Sequence, residues 1–526
     1  MFLIMSAAYI SQELESEFGK IPPSFLPLGN RRLFQHQIQS IPSGEKVFLS
    51  LPEKFMPDNH DLDWLNSHNV TILKIPEGLT LGASLVSTLN LAEDDHKSSL
   101  SILFGDTLLP ELPVGENIIS ISKVEFNYHW AIVNKSNTDW LNTRGGSEEL
   151  DFNNVVCGYF NFEQPKKLLI ALTMAHWDFI ESLNFYHKEC GLNTVQEDNW
   201  LDFGHLNTYY RSKAKFTTQR AFNSLEITPH WIRKSSSNTQ KIIAEANWFE
   251  QIPADLRIYL PQYLGSKIGN DGASYKLEYL HFTALNELFV FSVLPELVWR
   301  KIFDNCLSFI RQCQSYEVQE GNNFVGLKSL FYEKTISRLN QYCQSYNCQM
   351  DTVWQFNGEF NASFDDLLLC SKKFLPIEGN SSSVIHGDFC FSNILYDFRT
   401  NIVKAIDPRG IDLNEDFTIY GDTHYDVAKL SHSVLGLYDW IMAGYYNVQI
   451  NQHDIQFKID TPESIKGIQQ LFLTLINDRF KLTSDSLYAM QIHLFLSMLP
   501  LHADDKKRQQ ALMANAFRLY QIIKEA

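Results

Sequence analysis

No run of about eighteen consecutive apolar residues, the length a helix needs to cross a bilayer, occurs in this chain, so no transmembrane segment is expected. The opening MFLIMSAAYI is apolar but lacks a basic leader and is too short to span; it reads as a buried first strand. The eight cysteines (Cys157, Cys190, Cys306, Cys313, Cys343, Cys348, Cys370 and Cys390) form no CxxC pair and stand beside no His cluster at zinc spacing. Reduced thiols and a cytoplasmic location are therefore expected. Positive charge is also short: 44 Lys and Arg stand against 61 Asp and Glu, for a net charge of −17. Binding a nucleic-acid backbone needs a basic face, so no nucleic-acid partner is expected. Internal repeats and low-complexity tracts are missing as well.

What is present is ample material for packed interiors, with 44% hydrophobic and 13% aromatic residues over 526 positions. At about 150 residues per domain, that length predicts two to four domains. In the first two hundred residues, FLIMSAA, KVFLSL, VTILKI and SILFGD read as strands. NRRLFQHQIQSI and LGASLVSTLNLAEDD, between them, carry apolar residues at helical spacing. The alternation predicts a parallel α/β layer whose ligands gather at the carboxyl ends of strands, where Gly105 and Asp106 fall. Asp106 is there either a ligand for a nucleotide-bound magnesium ion or a turn cap.

LGASLVSTLNLAEDDHKSSLSILFGDTLL, VVCGYFNF and NWLDFGHLNTYYRSKAKF resemble, in order, segments of nucleotide-sugar pyrophosphorylase-type nucleotidyltransferases. The resemblance implies a Rossmann-like α/β nucleotidyltransferase domain over residues 1–205, with Asp106 and Asp202 as a two-carboxylate magnesium site and CTP or another NTP as substrate. The chain departs from that pattern in its first loop. SAAYISQELESEFGKIPPSF has no glycine-rich cradle, Ser24 stands where a phosphate-binding lysine is expected, and Lys20, Arg31 and Arg32 are the nearby cations.

From residue 206 the texture changes. KFTTQRAFNSLEITPHWIRKSS reads as two or three strands, NTQKIIAEANWFEQIP as a helix ending near Pro253, and ASYKLEYLHF as a strand running into a connector near Glu278. A strand lysine, Lys234, followed by a helix glutamate, Glu245, is the order in which kinase-like small lobes grip nucleotide phosphates. Lys241 competes with Lys234, which is preferred because it ends an apolar strand. Helical spacing dominates from residue 286 onward.

Into that setting falls SSVIHGDFCFSNILYDFRTNIVKAIDPRG. HGDFCFSN matches the His-x-Asp-x-x-x-x-Asn pattern of kinase-like catalytic loops, and Asp407 follows Asn393 by fourteen residues. A hairpin through ILYDFRTNIVKAID brings Asn393 and Asp407 toward one metal. Phosphoryl transfer needs an anion to hold the attacking hydroxyl, the role of Asp388. It also needs oxygen ligands for magnesium, the role of Asn393 and Asp407, while His386 fixes the loop. The glycine after His386, the IDPRG ending and YGDTHYDVAKLSHS resemble the aminoglycoside phosphotransferase and choline kinase branch. The resemblance implies an α+β bilobal protein-kinase-like domain, with small lobe and hinge over 206–285 and a mainly helical large lobe over 286–526. It implies ATP and Mg2+ as cofactors, Glu278 near the adenine edge, a structural role for Asp426, and a structural or substrate-facing role for Asp422. Arg409 is either a clamp for a phosphate or anionic acceptor or the partner of a nearby acid.

The two-part organisation resembles bacterial capsule-biosynthesis proteins. That implies a bifunctional enzyme, working beside other capsule-pathway enzymes, that phosphorylates a sugar or an amino alcohol such as choline or ethanolamine and activates the product. The other expectation is a kinase whose first domain only binds or docks.

Overall fold

The computed structural model describes residues 1–92, 98–124, 131–133, 140–142, 153–220, 225–269, 272–319, 327, 329–376 and 381–525. The chain divides into two units, Met1–Thr217 and Thr218–Ala526. Among the described residues, no helix is long and apolar enough to cross a membrane.

In the first unit, the apolar runs become β1 (Phe2–Met5), β2 (Val47–Pro52), β3 (Val70–Ile75) and β4 (Leu100–Phe104). β1 pairs in parallel with β2 and β4, and β2 with β3. Every residue of β1 and β2 is buried, as expected for parallel strands covered on both faces. Helices α1 (Leu33–Gln39) and α2 (Leu81–Leu91) make crossovers. Thr80 caps α2 by accepting the Ala83 N–H at 3.3 Å. The chain continues through β5 (Thr107–Leu108), β6 (Ile118–Val124), β7 (Asn153–Phe162), β8 (Asn193–Gln196) and β9 (Leu201–Asp202). The main sheet runs β8-β6-β7-β4-β1-β2-β3, with β7 antiparallel to its neighbours β4 and β6. Leu3, Ile102, Ile119, Phe160 and Leu172 fill one core layer, each such side chain worth roughly 1.5–3 kcal/mol when buried. The short antiparallel pair β5–β9 sets Thr107 opposite Asp202, one residue beyond Asp106.

KFTTQR, expected as strand, is instead the end of helix α3 (Leu206–Arg220). Tyr209 and Tyr210 are buried in its first turns, and the Tyr209 hydroxyl donates to the Pro27 carbonyl at 2.9 Å. Once such a nucleus is anchored, adding residues costs little. Strand structure begins only at Leu225, and residues 221–224 of the expected ribbon lie outside the described residues.

In the second unit, β10 (Leu225–Ile227), β11 (Trp231–Ser236), β12 (Tyr263–Gly269) and β13 (Gly272–Glu278) form an antiparallel sheet in the order β10-β11-β13-β12. Helix α4 (Thr239–Gln251) packs against it through buried Ile242, Ala246 and Phe249, the last 5.9 Å from the Tyr275 ring. The remainder is mainly helical, with α5 (Glu296–Gln314), α6 (Lys334–Tyr346), α7 (Thr423–Val434), α8 (Ser464–Phe480), α9 (Ser484–Met498) and α10 (Lys506–Glu525). Between α6 and α7 lies the hairpin β14 (Ile394–Asp397) and β15 (Ile402–Ala405), paired from Ile394↔Ala405 to Asp397↔Ile402. A four-stranded sheet interrupts the helices, formed by Trp354–Phe356, Phe360–Ala362, Tyr446–Asn451 and Asp454–Ile459.

Candidate active site

The residues between His386 and Asp407 meet across the hairpin. Asn393 uses its amide Nδ2 twice, donating to the Asp388 carbonyl at 2.9 Å and to Asp388 Oδ2 at 3.0 Å. That leaves Asn393 Oδ1, which has only a long contact of 3.4 Å from Ser392 Oγ, as the oxygen that could meet a cation. Asp407, just past β15, has a left-handed backbone (φ 57°), which is uncommon outside glycine and costs roughly 1–3 kcal/mol. Its Oδ1 lies 3.0 Å from Lys234 Nζ, which also donates to Glu245 Oε2 at 2.9 Å. Strand β11 and helix α4 thus deliver one cation to the far end of the hairpin. The Tyr275 hydroxyl also donates to Glu245 Oε2, at 2.8 Å, so this glutamate is oriented from two sides. Lys241, the competitor, reaches Glu245 only at 3.9 Å with a mostly exposed side chain.

His386 is completely buried. Its Nδ1 accepts the Asp388 N–H at 3.3 Å, so Nε2 carries the proton toward the Ile406 carbonyl at 3.0 Å. Burial pushes its pKa down to about 4. A neutral ring held at both nitrogens positions the loop, and His386 is absent from the walls of the cavity that Asp388 faces. It is a positioning residue and not a group that meets substrate. Asp426 on α7 performs the matching task, accepting the N–H of His386 at 2.7 Å and of Gly387 at 2.8 Å. Gly387 is needed there, since its φ is 77° and a Cβ would meet that of Arg409 at 2.7 Å.

Asp388 itself points Oδ1 at Lys429 Nζ, 2.7 Å away. Burial alone would raise the Asp388 pKa, but Lys429 outweighs it and holds the carboxyl below its ordinary value. Asp388 is therefore an anion at neutral pH. It opens, with Asn393, Asp407, Lys234 and Arg409, onto a cavity of about 420 Å³. Glu278 does not join this group. Its carboxylate accepts the Gln262 N–H at 3.2 Å, closing the start of β12 against the end of β13. Asp422 caps α7 by accepting the His424 N–H at 2.8 Å.

Sequence reasoning missed Lys429, Tyr425, Lys334 and Arg338, all of which line the cavity. Lys429 carried a usable signal, lying one helical turn beyond Asp426. Lys334 and Arg338 carried none, because they stand about fifty residues upstream of the motif on an otherwise ordinary amphipathic helix.

In the first unit, Asp106 and Asp202 come together beneath Gly204. A Cβ at Gly204 would lie 2.7 Å from Asp106 Oδ2 and 3.4 Å from Asp202 Oδ1. Burial raises both carboxyl pKa values, and mutual repulsion adds to the rise at Asp106. Oδ2 of Asp202 is buried with no hydrogen-bond partner among the described residues. Two close carboxylates with an orphaned oxygen fit a divalent cation whose remaining ligands are water or phosphate. Among the described residues no group of three or more His, Cys, Asp or Glu is arranged to hold a metal. Of the first-loop residues, Ser24, Arg32 and Lys20 are engaged elsewhere. Ser24 is buried and donates to Ser6 Oγ at 2.8 Å, Arg32 pairs with Asp61 at 3.2 Å, and Lys20 sits 4.2 Å from the Tyr9 ring centre. Arg31 remains exposed.

No family model matches this sequence, and no curated protein does. Solved structures similar to the chain include nucleotidyltransferases and aminoglycoside phosphotransferases, all at low identity. The nucleoside-diphosphate-sugar pyrophosphorylase from Vibrio cholerae is 11% identical, with 40% of this chain and 99% of that one covered and a TM-score of 0.33. The inositol-1-phosphate CTP transferase from T. maritima is 14% identical, covering 41% and 95%, with a TM-score of 0.32. An aminoglycoside-3'-phosphotransferase of type VIII is 14% identical, covering 54% and 97%, with a TM-score of 0.31.

Proposed function

We propose that the second unit transfers a phosphoryl group from ATP, with Mg2+, to a hydroxyl of a small molecule. The observation that carries this reading is the single cavity in which Lys234 bridges Glu245 and Asp407 while Asp388 and Asn393 stand beside them. Lys234, steered by Glu245, holds nucleotide phosphates. Asn393 Oδ1 and Asp407 hold magnesium, which when bound neutralises the phosphate charge. Asp388, kept ionised by Lys429, orients the acceptor hydroxyl and takes its proton as the oxygen bonds to phosphorus. The bond to the leaving diphosphate breaks and ADP departs. Incubating the protein with ATP, Mg2+ and small hydroxyl compounds, and following ADP and phosphorylated product by mass spectrometry, tests this. Product formation that persists in Asp388→Ala removes the assignment.

For the first unit we infer nucleotidyl transfer: Asp106 and Asp202 would hold the magnesium of CTP or another NTP, and a phosphate oxygen of the phosphorylated product bonds to the α-phosphorus of that NTP as the bond to the departing pyrophosphate breaks. Phosphorylation followed by nucleotidyl activation makes a precursor of the kind consumed in building capsule or surface polysaccharide, and the sequence resemblance supports that role. A second reading, a binding or docking unit, is favoured by the engagement of Ser24 and Arg32 in the loop where phosphates would sit. Release of pyrophosphate that depends on Asp106 and Asp202 separates the two.

A further inference from the structure

The cavity around Asp388 is far more cationic than the chain that builds it. Its charged lining comprises six cations and three carboxylates in a protein of net charge −17. Each carboxylate is already matched: Glu245 and Asp407 by Lys234, Asp388 by Lys429. Lys334, Arg338 and Arg409 are left over, and none of them has a carboxylate within ion-pair distance among the described residues.

Two of the three reach the cavity from α6. Lys334 and Arg338 occupy successive turns of α6. Lys334 Nζ reaches the Tyr425 hydroxyl on α7 at 3.5 Å, and Arg338 Nη1 donates to the Ser497 carbonyl near the end of α9 at 3.0 Å. Tyr425 stands one turn before Lys429, whose amine holds Asp388. From Asp388 the wall therefore runs one way to Lys234 and Asp407, and the other way through Lys429 and Tyr425 to Lys334 and Arg338. A hydroxyl placed at Asp388 puts the rest of its molecule against the second wall. The cations sense one another there. Burial lowers the Lys334 and Arg338 pKa values, and Arg409 lowers both further. Tyr425 is lowered despite its burial, because Lys334, Lys429 and Arg409 favour its anion.

We propose, building on the phosphotransferase reading, that the acceptor is a hydroxylated small molecule that already carries an oxyanion, a carboxylate or a phosphate, seated against Lys334, Arg338 and Arg409. Guanidinium and ammonium groups left unpaired in a half-buried wall are matched by such a group through charge-assisted hydrogen bonds. An amino alcohol such as choline or ethanolamine brings a cation to a wall that repels it. In the reaction the acceptor O–H bond gives its proton to Asp388, the oxygen bonds to the γ-phosphorus of ATP, and the bond from that phosphorus to ADP breaks. The oxyanion is a binding group and is unchanged.

The test measures ADP release by the full chain with ATP, Mg2+ and acceptors matched in skeleton and different in charge: glycerol, glycerate and glycerol phosphate; glucose, glucuronate and glucose phosphate; ethanolamine and choline. The expected result is that a carboxylate or phosphate member exceeds its neutral and cationic counterparts by at least about tenfold in kcat/KM; which of the two wins identifies the oxyanion. K334Q and R338Q then raise KM for that acceptor by about tenfold, and R338K restores part of the loss. If R338Q does not fold, K334Q carries the comparison, because Lys334 makes only the long contact to Tyr425. A neutral or cationic member outperforming its anionic counterpart, or no anionic member raising ADP release while Asp388-dependent ATP turnover continues, overturns the inference and leaves the phosphotransferase standing. ADP release unaffected by D388N removes the phosphotransferase reading and this inference with it.

Discussion

Asp388 takes its character from three neighbours: Lys429, which keeps it ionised, Asn393, which fixes one oxygen, and His386, which fixes its backbone. Asp388→Asn keeps the shape and removes the charge. It is expected to lower kcat by about 10²–10⁴ and, by leaving the Lys429 ammonium without its anion, to lower the thermal midpoint as well, as steady-state kinetics and calorimetry will show. Because the folded-state pKa of Asp388 is depressed, its contribution to stability is present above the ordinary carboxylate range and fades only as pH falls through the depressed value. Asp106 and Asp202 have the opposite sign. Their pKa values are raised, so the metal-free protein is most favoured while both are protonated and loses stability as pH rises through the raised values. The midpoint of the metal-free protein should therefore fall between about pH 4 and about pH 7. Asp106→Asn should flatten that dependence, and Mg2+ should restore stability at the upper end in the parent only. A midpoint indifferent to both pH and Mg2+ would rule out the two-carboxylate site. As candidates, Asp388, Asn393 and Asp407 could be picked out because they lie in one short pattern and Asp106 because it ends a strand, whereas Asp202 was named only through a family resemblance. Lys334 and Arg338 were not legible, because a cavity wall drawn from α6 and α9 is a tertiary fact with no local spacing.

Among the elements, the loop from His386 to Asn393 is held from outside itself. Asp426 at the start of α7 satisfies two buried N–H groups of the loop, and Trp248 of α4 donates its indole N–H to the Ile385 carbonyl at 2.7 Å. Asp426→Ala leaves those two donors unpaired, at about 1–3 kcal/mol each. Both the unfolding free energy in urea and kcat should fall. Gly387→Ala should be worse for its size, because a left-handed backbone and a Cβ contact of 2.7 Å with Arg409 coincide. An alanine variant with parental stability and turnover would show that the loop relaxes freely. The parallel strands of the first unit and the helix bearing Glu245 were readable from period and from breakers such as Pro253. Helix α3 was misread because KFTTQR is rich in β-formers and only the buried tyrosines before it decide its state. The sheet built from Tyr446–Asn451 and Asp454–Ile459 was overlooked although Tyr446, Val448, Ile455 and Phe457 alternate as a half-buried hairpin should.

At the scale of the molecule, two units each carry a carboxylate-based site, and the residues of each site come from within its own unit. Variants should therefore separate. Asp106→Asn is expected to abolish pyrophosphate release and spare phosphoryl transfer, and Asp388→Asn to do the reverse when the phosphorylated intermediate is supplied. The strongly negative chain and the cationic cavity also predict that added salt weakens binding of an anionic acceptor, visible as a rising KM with ionic strength. Motif order made the two-part organisation readable, whereas the charge of the acceptor wall became visible only once the helices were in place. The most direct test of the whole account is transfer of labelled γ-phosphate from ATP to a small hydroxyl compound, compared between the parent protein and Asp388→Asn. The account predicts labelled product with the parent and at least about a hundredfold less with the variant; equal labelling by both proteins would contradict it.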